Sequence, residues 1–220
     1  MAQEFMTPTA GGNGTSREML SKVIDIERNP YKRDFPLLAN NPQITFLDSA
    51  ATAQRPASVL DAERDFYVHL NSNPLRGLYK LSVEATEAVD KAREKVAKFI
   101  NADSADDIVF TRNATESLNL MAKSLGSVVL KPDDEVVITI MEHHSNLIPW
   151  QQICKKTGAK LVYMYPDKQG FLSDEEIEKK IGPKAKIVSV GHVSNVLGIE
   201  NPVKKIGERA HEQGAYFIVD

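Results

Sequence analysis

The sequence predicts an α/β protein with a mostly parallel β-sheet flanked by helices. From residue 107 onward, short segments rich in β-branched and aromatic residues alternate with amphipathic segments. The short segments are apolar almost throughout, as in strands whose two faces are both buried. Repeated strand–helix–strand order with short links is typical of a parallel sheet covered by helices.

Two helices are predicted before this alternation begins. Between Ser58 and Leu70 apolar residues recur at roughly helical spacing. The pattern is clearer over Val83–Ile100, where apolar residues recur every three or four positions between charged ones.

Five strands and four helices are predicted beyond residue 106. Ser173 and Glu176 predict a capping box, while Pro202 begins and Gly214 ends the last helix. The predicted strands are Asp107–Thr111, Glu135–Ile140, Lys160–Tyr165, Lys186–Val190 and Tyr216–Val219. The predicted helices are Ala114–Leu125, Asn146–Lys156, Ser173–Ile181 and Pro202–Gln213.

The composition is that of a globular protein, 42% hydrophobic and 26% charged over 220 residues. We expect a tail or tag with a lead-in over residues 1–30 and one large domain over 31–220. The net charge is −3, whereas a protein that binds nucleic acid or a membrane surface usually has an excess of basic residues. We therefore expect neither kind of partner.

The compartment expected from the sequence is the cytoplasm. Cys154 is the single cysteine and cannot form an internal disulfide, which favours a reducing environment. No run of about 18 apolar residues predicts a membrane span. Residues 1–16 lack the apolar segment of a signal peptide.

Polar side chains follow four of the predicted strands. They lie in residues 111–116, in residues 142–146, in residues 191–195 and at Asp220. Right-handed crossovers bring the carboxyl ends of parallel strands to one edge, where open α/β sheets bind ligands. The sequence therefore predicts one crevice supplied with imidazole, amide, hydroxyl and carboxylate groups.

The segment Asn113–Glu116 opens a helix and has two interpretations. The free N–H groups of a helix start favour an anion such as a phosphate, with the Thr115 hydroxyl as a further donor. The alternative is a plain cap, with Asn113 accepting from the helix and Glu116 reciprocating.

His143 and His144 suit four roles: metal ligands, a general base, a ring stacked on a flat cofactor, or surface residues. Adjacent side chains on a strand end point in different directions, and no further Cys/His pair has zinc spacing, so a metal site is not expected. Stacking on an aromatic cofactor fits better.

Asn195 and Asp220 each have a structural and a functional interpretation. Asn195 stands in an apolar turn, where it serves either turn chemistry or a ligand oxygen. Asp220 follows four apolar residues, either as a turn residue or as the partner of a protonated ring nitrogen.

In this order the residues resemble the class V aminotransferase branch of the fold-type-I pyridoxal-5′-phosphate (PLP) enzymes, and most closely SUF-type cysteine desulfurases and selenocysteine lyases. The resemblance runs from about Tyr31 to Asp220 and is most specific in two segments, MEHHSN and HVSNVLG. The other segments that carry it are Leu47–Ala51, Arg76–Gly77, Asn113–Glu116, Pro149–Gln151, Glu200–Pro202 and Val219–Asp220.

The resemblance implies a PLP site and roles for individual residues. His143 stacks on the pyridine ring, Asn195 binds the phenolic oxygen and Asp220 pairs with the pyridine nitrogen. The Ala114 N–H and the Thr115 hydroxyl help to hold the phosphate. Ala50 and Arg76 lie on the substrate side.

The sequence departs from the family pattern at three positions. Leu75 and Tyr79 stand where many relatives carry histidines around Arg-Gly, which leaves substrate discrimination open. Ala114 replaces a second threonine found in many relatives, which removes one hydroxyl and leaves the backbone donor.

The implied activity is conversion of L-cysteine, or L-selenocysteine, to L-alanine, with sulfur leaving as an enzyme persulfide for an acceptor protein of iron–sulfur cluster assembly. A homodimer is also implied. The lysine that binds PLP, the sulfur-accepting cysteine and a substrate-binding arginine would follow Asp220, so we expect this chain alone to be inactive. Cys154 lies mid-helix and is interpreted as a structural thiol.

Three alternatives remain. One is another class V enzyme, such as an aminotransferase, an epimerase or a kynureninase-like hydrolase. A second is a non-catalytic half that needs a partner chain. The third, a nucleotide-binding domain, is disfavoured because no glycine-rich phosphate loop follows the first strand.

Overall fold

The computed structural model describes residues 29–220. These described residues divide into two compact units, with the boundary between Lys95 and Val96. The predicted tail over residues 1–30 lies almost wholly outside the described residues. The large domain predicted over residues 31–220 stays a prediction.

The first unit is helical over its described part. A 3₁₀ turn at Pro30–Asp34 leads into α1 (Pro36–Asn40), and α2 (Ala57–Asp65) continues as a π-helical turn at Phe66–Leu70. Its last helix, α3 (Lys80–Ile100), runs on into the second unit. Both helices predicted in this region are therefore confirmed.

The second unit contains a four-stranded sheet in which all neighbouring strands are parallel, in the order β2-β1-β3-β4. The strands are β1 (Glu135–Thr139), β2 (Lys160–Met164), β3 (Ala185–Val190) and β4 (Tyr216–Val219). The helices are α4 (Ala114–Val129), α5 (Ile148–Thr157), α6 (Asp174–Lys180) and α7 (Val203–Glu212). The predicted α/β class is confirmed.

The side chains of each strand alternate between two apolar layers, as a period of two requires. Val137 of β1 packs with residues of α6 and α7, including Ile177 and Ile206. Its neighbours Val136 and Ile138 pack in the opposite layer with residues of α4 and α5. The sheet is thus covered on both faces, which explains its continuous apolar strands.

The prediction of a strand at Asp107–Thr111 is wrong. Residues 105–107 form a 3₁₀ turn, and Ile108 is extended but lies outside the four-stranded sheet. β-propensity favours an extended backbone, whereas a strand also requires a neighbouring strand in register.

The capping box predicted at the start of α6 forms only in part. Ser173 Oγ accepts from Glu176 N at 3.2 Å, as expected. The Glu176 carboxylate instead accepts from Tyr165 N at 2.9 Å, which joins α6 to the end of β2. A tertiary contact therefore takes the acceptor that local sequence reasoning assigned to the cap.

Within residues 29–220, no helix is both long enough and apolar enough to span a bilayer.

Candidate functional site

The candidate site lies at the carboxyl edge of the sheet, where β1 and β3 are neighbours. The connection from β1 leads to β2 on one side, and the connection from β3 leads to β4 on the other. Such a reversal of strand order leaves a crevice beyond the strand ends, the usual ligand site of open α/β sheets.

Glu142 bridges the two strand ends at this crevice. Its Oε1 accepts from the Thr139 hydroxyl at 2.5 Å, and its Oε2 accepts from Gly191 N at 2.8 Å. Thr139 ends β1 and Gly191 follows β3, so one carboxylate joins the two strand exits, and its bond to Gly191 spans 49 residues of sequence. Burial raises the pKa of Glu142 above its ordinary value, and the three hydrogen bonds that its carboxylate accepts oppose this rise.

Asn146 extends this hydrogen-bond network into the core. Its Nδ2 donates to Glu142 Oε2 at 2.6 Å, and its Oδ1 accepts from Ser189 Oγ at 2.6 Å and from Trp150 Nε1 at 2.9 Å. Asn146, Trp150 and Ser189 are fully buried. A buried amide with three such partners holds the 3₁₀ turn His144–Asn146 against β3.

His143 leads into that turn and its side chain is exposed. Its Nδ1 accepts from Ser145 N at 3.1 Å and lies 2.8 Å from Ser145 Oγ. Since Nδ1 is the acceptor, the proton of the neutral ring is on Nε2. The rings of His143 and His144 are 6.2 Å apart and tilted by 48°, so they do not stack on each other.

Asn195 lies at the exposed tip of the loop that follows β3. The turn is closed by Gly198 N donating to Ser194 O at 2.8 Å, and Ser194 Oγ accepts from Leu197 N at 3.1 Å. Ser194 therefore supplies the side-chain hydrogen bonds of the turn. Among residues 29–220 the Asn195 amide has no hydrogen-bond partner, and it remains free for a ligand.

Asp220 continues the pairing of β3 with β4 by one more residue. Its N–H donates to Val190 O at 2.9 Å, and its carbonyl accepts from His192 N at 2.9 Å. The side chain is exposed, and no described residue forms an ion pair with its carboxylate. The backbone is thus fixed while the carboxylate is free.

The first turn of α4 combines both sequence interpretations. Asn113 Oδ1 accepts from Glu116 N at 2.9 Å, so it caps the helix. Glu116 instead bonds Arg112, which lowers the pKa of the Glu116 carboxyl. The N–H groups of Ala114 and Thr115 donate to no residue in the described part of the chain, as is usual for a first helical turn.

The topology brings the start of α4 to the carboxyl edge. The helix packs on the sheet and only five residues separate its last residue from β1, so it runs antiparallel to that strand. It also packs against the His144–Asn146 turn. Ala114 and Thr115 therefore begin at the same edge as the strand exits.

Ala50 and Arg76 belong to the first unit. Each lies in an exposed turn, and neighbouring Leu75 has a positive φ of 75°. Their substrate-side role stays a prediction.

Cys154 is 4% exposed, and burial raises the pKa of its thiol to about 11. A thiol of this kind is almost wholly protonated at neutral pH and a poor nucleophile, in keeping with a structural role.

Sequence reasoning missed the buried half of this edge. In the sequence Glu142 and Asn146 stand out only as members of the MEHHSN segment, and Ser189 only as part of a predicted strand. The available signal was polarity inside apolar strands, since Thr139 and Ser189 are hydroxyl residues in otherwise apolar segments.

The comparisons with known proteins agree with one another. The family model for aminotransferase class V matches residues 45–220. A probable cysteine desulfurase of Halalkalibacterium halodurans is 50% identical over 192 residues, which cover 86% of this chain and 47% of that protein. A cysteine desulfurase of an Enterobacter species is 42% identical over the same length. The chain spans about half the length of the curated relatives it matches.

Solved structures give the same result. An apo cysteine desulfurase from Thermococcus onnurineus NA1 has a TM-score of 0.81 and 40% identity, over 88% of this chain and 47% of that one. The cysteine desulfurase CsdA from Escherichia coli has a TM-score of 0.74 and 34% identity, over 86% and 47%.

Proposed function

Because the chain belongs to the class V aminotransferase family, we propose that it is the PLP-binding half of a cysteine desulfurase. The observation that carries the proposal is the carboxyl edge of the sheet. Hydrogen bonds join the exits of β1, β3 and β4 through Glu142, Gly191 and the backbone of Asp220. From these exits His143, Asn195 and Asp220 extend exposed side chains.

The chemistry of these groups fits PLP. Its phosphate requires donors, which the N–H groups of Ala114 and Thr115 and the Thr115 hydroxyl can supply at a helix start. Its protonated ring nitrogen requires an anion, which Asp220 provides. The remaining two groups, an amide and an imidazole, match a phenolic oxygen and an aromatic face.

PLP, when bound, supplies an electron sink for the substrate carbanion. In this proposal Asp220 holds the proton on the ring nitrogen, because a carboxylate raises the pKa of a neighbouring cation. Asn195 donates its amide to the phenolic oxygen. His143 covers one face of the ring and excludes water from it. Ala114 and Thr115 anchor the phosphate, and Ala50 and Arg76 contribute to the substrate side.

The proposed reaction of the whole protein converts L-cysteine to L-alanine. A cysteine thiolate of the enzyme takes the substrate sulfur and becomes a persulfide, while the substrate carbon receives a proton. That cysteine and the lysine that binds PLP would come from residues that the relatives carry beyond the matched half. The same proposal includes four finer statements. L-Selenocysteine is a second substrate, the enzyme is a homodimer, the sulfur goes to an acceptor protein of iron–sulfur cluster assembly, and the location is cytoplasmic.

The test uses an extended subunit, in which this sequence is followed by the remaining half of the Halalkalibacterium halodurans relative. With PLP and a thiol reductant, L-cysteine is expected to yield L-alanine and sulfide in equal amounts, detected by amino-acid analysis and sulfide assay. Transamination without sulfide would indicate another class V activity. Absence of PLP binding by a folded extended subunit would refute the proposal.

The finer statements need two further measurements. Parallel assays with L-cysteine and L-selenocysteine give the substrate preference from the ratio of kcat/KM. Sedimentation of the extended subunit gives its oligomeric state, for which a dimer is expected.

A further inference from the structure

Glu142 has no role in the proposed chemistry, yet its carboxylate has an unusual environment. It accepts three hydrogen bonds, from Thr139 Oγ1, Asn146 Nδ2 and Gly191 N, at 2.5 to 2.8 Å. No lysine, arginine or histidine of the described residues forms an ion pair with it. Glu142 is half-buried, and even partial burial of a carboxylate without a cation is costly; the two apolar layers of the sheet give no packing reason for it.

The three donors come from different parts of the edge. Thr139 ends β1, Asn146 closes the turn that follows it, and Gly191 begins the loop after β3. The short bond to Gly191 N is the direct side-chain link between the loop that carries His143 and the loop that carries Asn195.

The peptide group of Gly191 is held from both sides. Its N–H donates to Glu142, and its carbonyl accepts from Asn201 Nδ2 at 2.7 Å. Asn201 is buried, and its N–H donates to His192 O at 2.8 Å. The direction in which the 191–200 loop leaves β3 is therefore set by two side chains, the half-buried Glu142 and the buried Asn201.

We propose that Glu142 is a positioning residue of the PLP site. Its carboxylate fixes the separation of the loops after β1 and β3, so that His143 and Asn195 reach the same ring. This inference rests on the proposed function. It concerns the length and hydrogen-bonding capacity of the side chain, not its charge.

Two substitutions separate reach from charge. Glu142→Gln keeps the length of the side chain. Its Oε1 can accept hydrogen bonds from Asn146 and Gly191. Its Nε2 can donate to the Thr139 hydroxyl, because a hydroxyl oxygen also accepts. Glu142→Asp keeps the charge but is one methylene shorter, so its carboxylate cannot keep both Thr139 and Gly191. Ser173→Ala is the matched control, because it removes the cap of α6 without touching either loop.

The experiment measures PLP binding to the extended subunit by quenching of tryptophan fluorescence, since Trp150 is the only tryptophan of this sequence. If the other half carries tryptophans, the absorbance of PLP is measured instead. The circular dichroism of bound PLP at saturation reports how the ring is held. Glu142→Asp is expected to weaken PLP binding about 20-fold and to reduce the dichroism, with Glu142→Gln within about threefold of wild type. Ser173→Ala is expected to lower the unfolding midpoint without changing either PLP readout.

The outcomes separate this inference from the proposed function. If wild type binds PLP and Glu142→Asp binds it equally well with the same dichroism, the positioning role is refuted and the proposed function stands. Equal losses in Glu142→Gln and Glu142→Asp would show that a side chain of the right length is not sufficient without the charge, which also refutes the inference. If folded wild type does not bind PLP, the proposed function itself fails.

Discussion

The carboxyl edge of the sheet has two halves that differ in burial and in hydrogen bonding. Asn146 and Ser189 are buried and Glu142 is half-buried, and their polar atoms form hydrogen bonds with one another or with the backbone. His143, Asn195 and Asp220 start from the same strand ends, yet their side chains are exposed. The first half is a framework built by the chain for itself, and the second consists of groups left free for a ligand.

This difference teaches that the two halves should respond differently to substitution. A buried polar network contributes to the free energy of unfolding, because removing one member leaves its partners unsatisfied. An exposed side chain without partners contributes little to folding and acts only when a ligand is present.

The largest effect is expected for Asn146→Ala. The change leaves Trp150 Nε1 and the Ser189 hydroxyl without their acceptor, so the free energy of unfolding should fall by about 3 kcal/mol. Urea unfolding followed by far-ultraviolet circular dichroism measures it. Asn195→Ala is the matched control and should stay within about 0.5 kcal/mol of wild type. Equal losses in the two variants would remove the division.

Asp220→Asn should act on binding alone. Loss of the ring-nitrogen partner is expected to weaken PLP binding to the extended subunit about 30-fold, equivalent to about 2 kcal/mol. The unfolding midpoint of the apo protein should not change. Glu208→Gln removes the same charge from the exposed side of α7 and should leave PLP binding unaltered. A similar loss in both variants would indicate a general charge effect.

Thr115→Val should have a smaller and chemically selective effect. Removing one hydroxyl donor at the start of α4 is expected to weaken PLP binding about fivefold, or about 1 kcal/mol. Pyridoxal, which lacks the phosphate, should bind wild type and variant equally. If pyridoxal loses the same factor, Thr115 does not contact the phosphate.

The smallest expected effect concerns pH and belongs to the framework. The pKa of Glu142 is raised above its ordinary value of 4.5, mainly by burial, so the folded state favours the protonated carboxyl. The associated stability is fully present below the ordinary pKa and is lost as pH rises through the raised one. The free energy of unfolding of wild type relative to Glu142→Gln should therefore fall over this window and then level off. A flat difference between the two proteins would contradict the assignment.

Much of the second unit could be predicted from the sequence. Four of the five predicted strands and all four of its predicted helices are present, with ends that differ by a few residues. These elements rest on periodicity and on end signals that act locally, such as Pro202 before α7 and Gly214 after it. The strand predicted at Asp107–Thr111 is absent because pairing is not a local property.

The candidate site, too, could be predicted from the sequence only in part. That residues of the 111–116, 142–146 and 191–195 segments share one edge follows from the order of strands and helices. In the structure Asn113 and Ser194 bond the backbone, whereas the side chains of Thr115 and Asn195 remain free. Residue types could not predict this difference, because each of these side chains suits either task.

The sequence by itself determined the α/β class, the order of elements and the edge at which polar groups accumulate, since these follow from periodicity and the handedness of crossovers. Only the tertiary structure decided that Glu142 lies between β1 and β3 and accepts a hydrogen bond from a residue 49 positions away. The reason is physical: hydrogen bonds between distant residues depend on which strands become neighbours. That choice is made by packing of the whole sheet and leaves no local pattern.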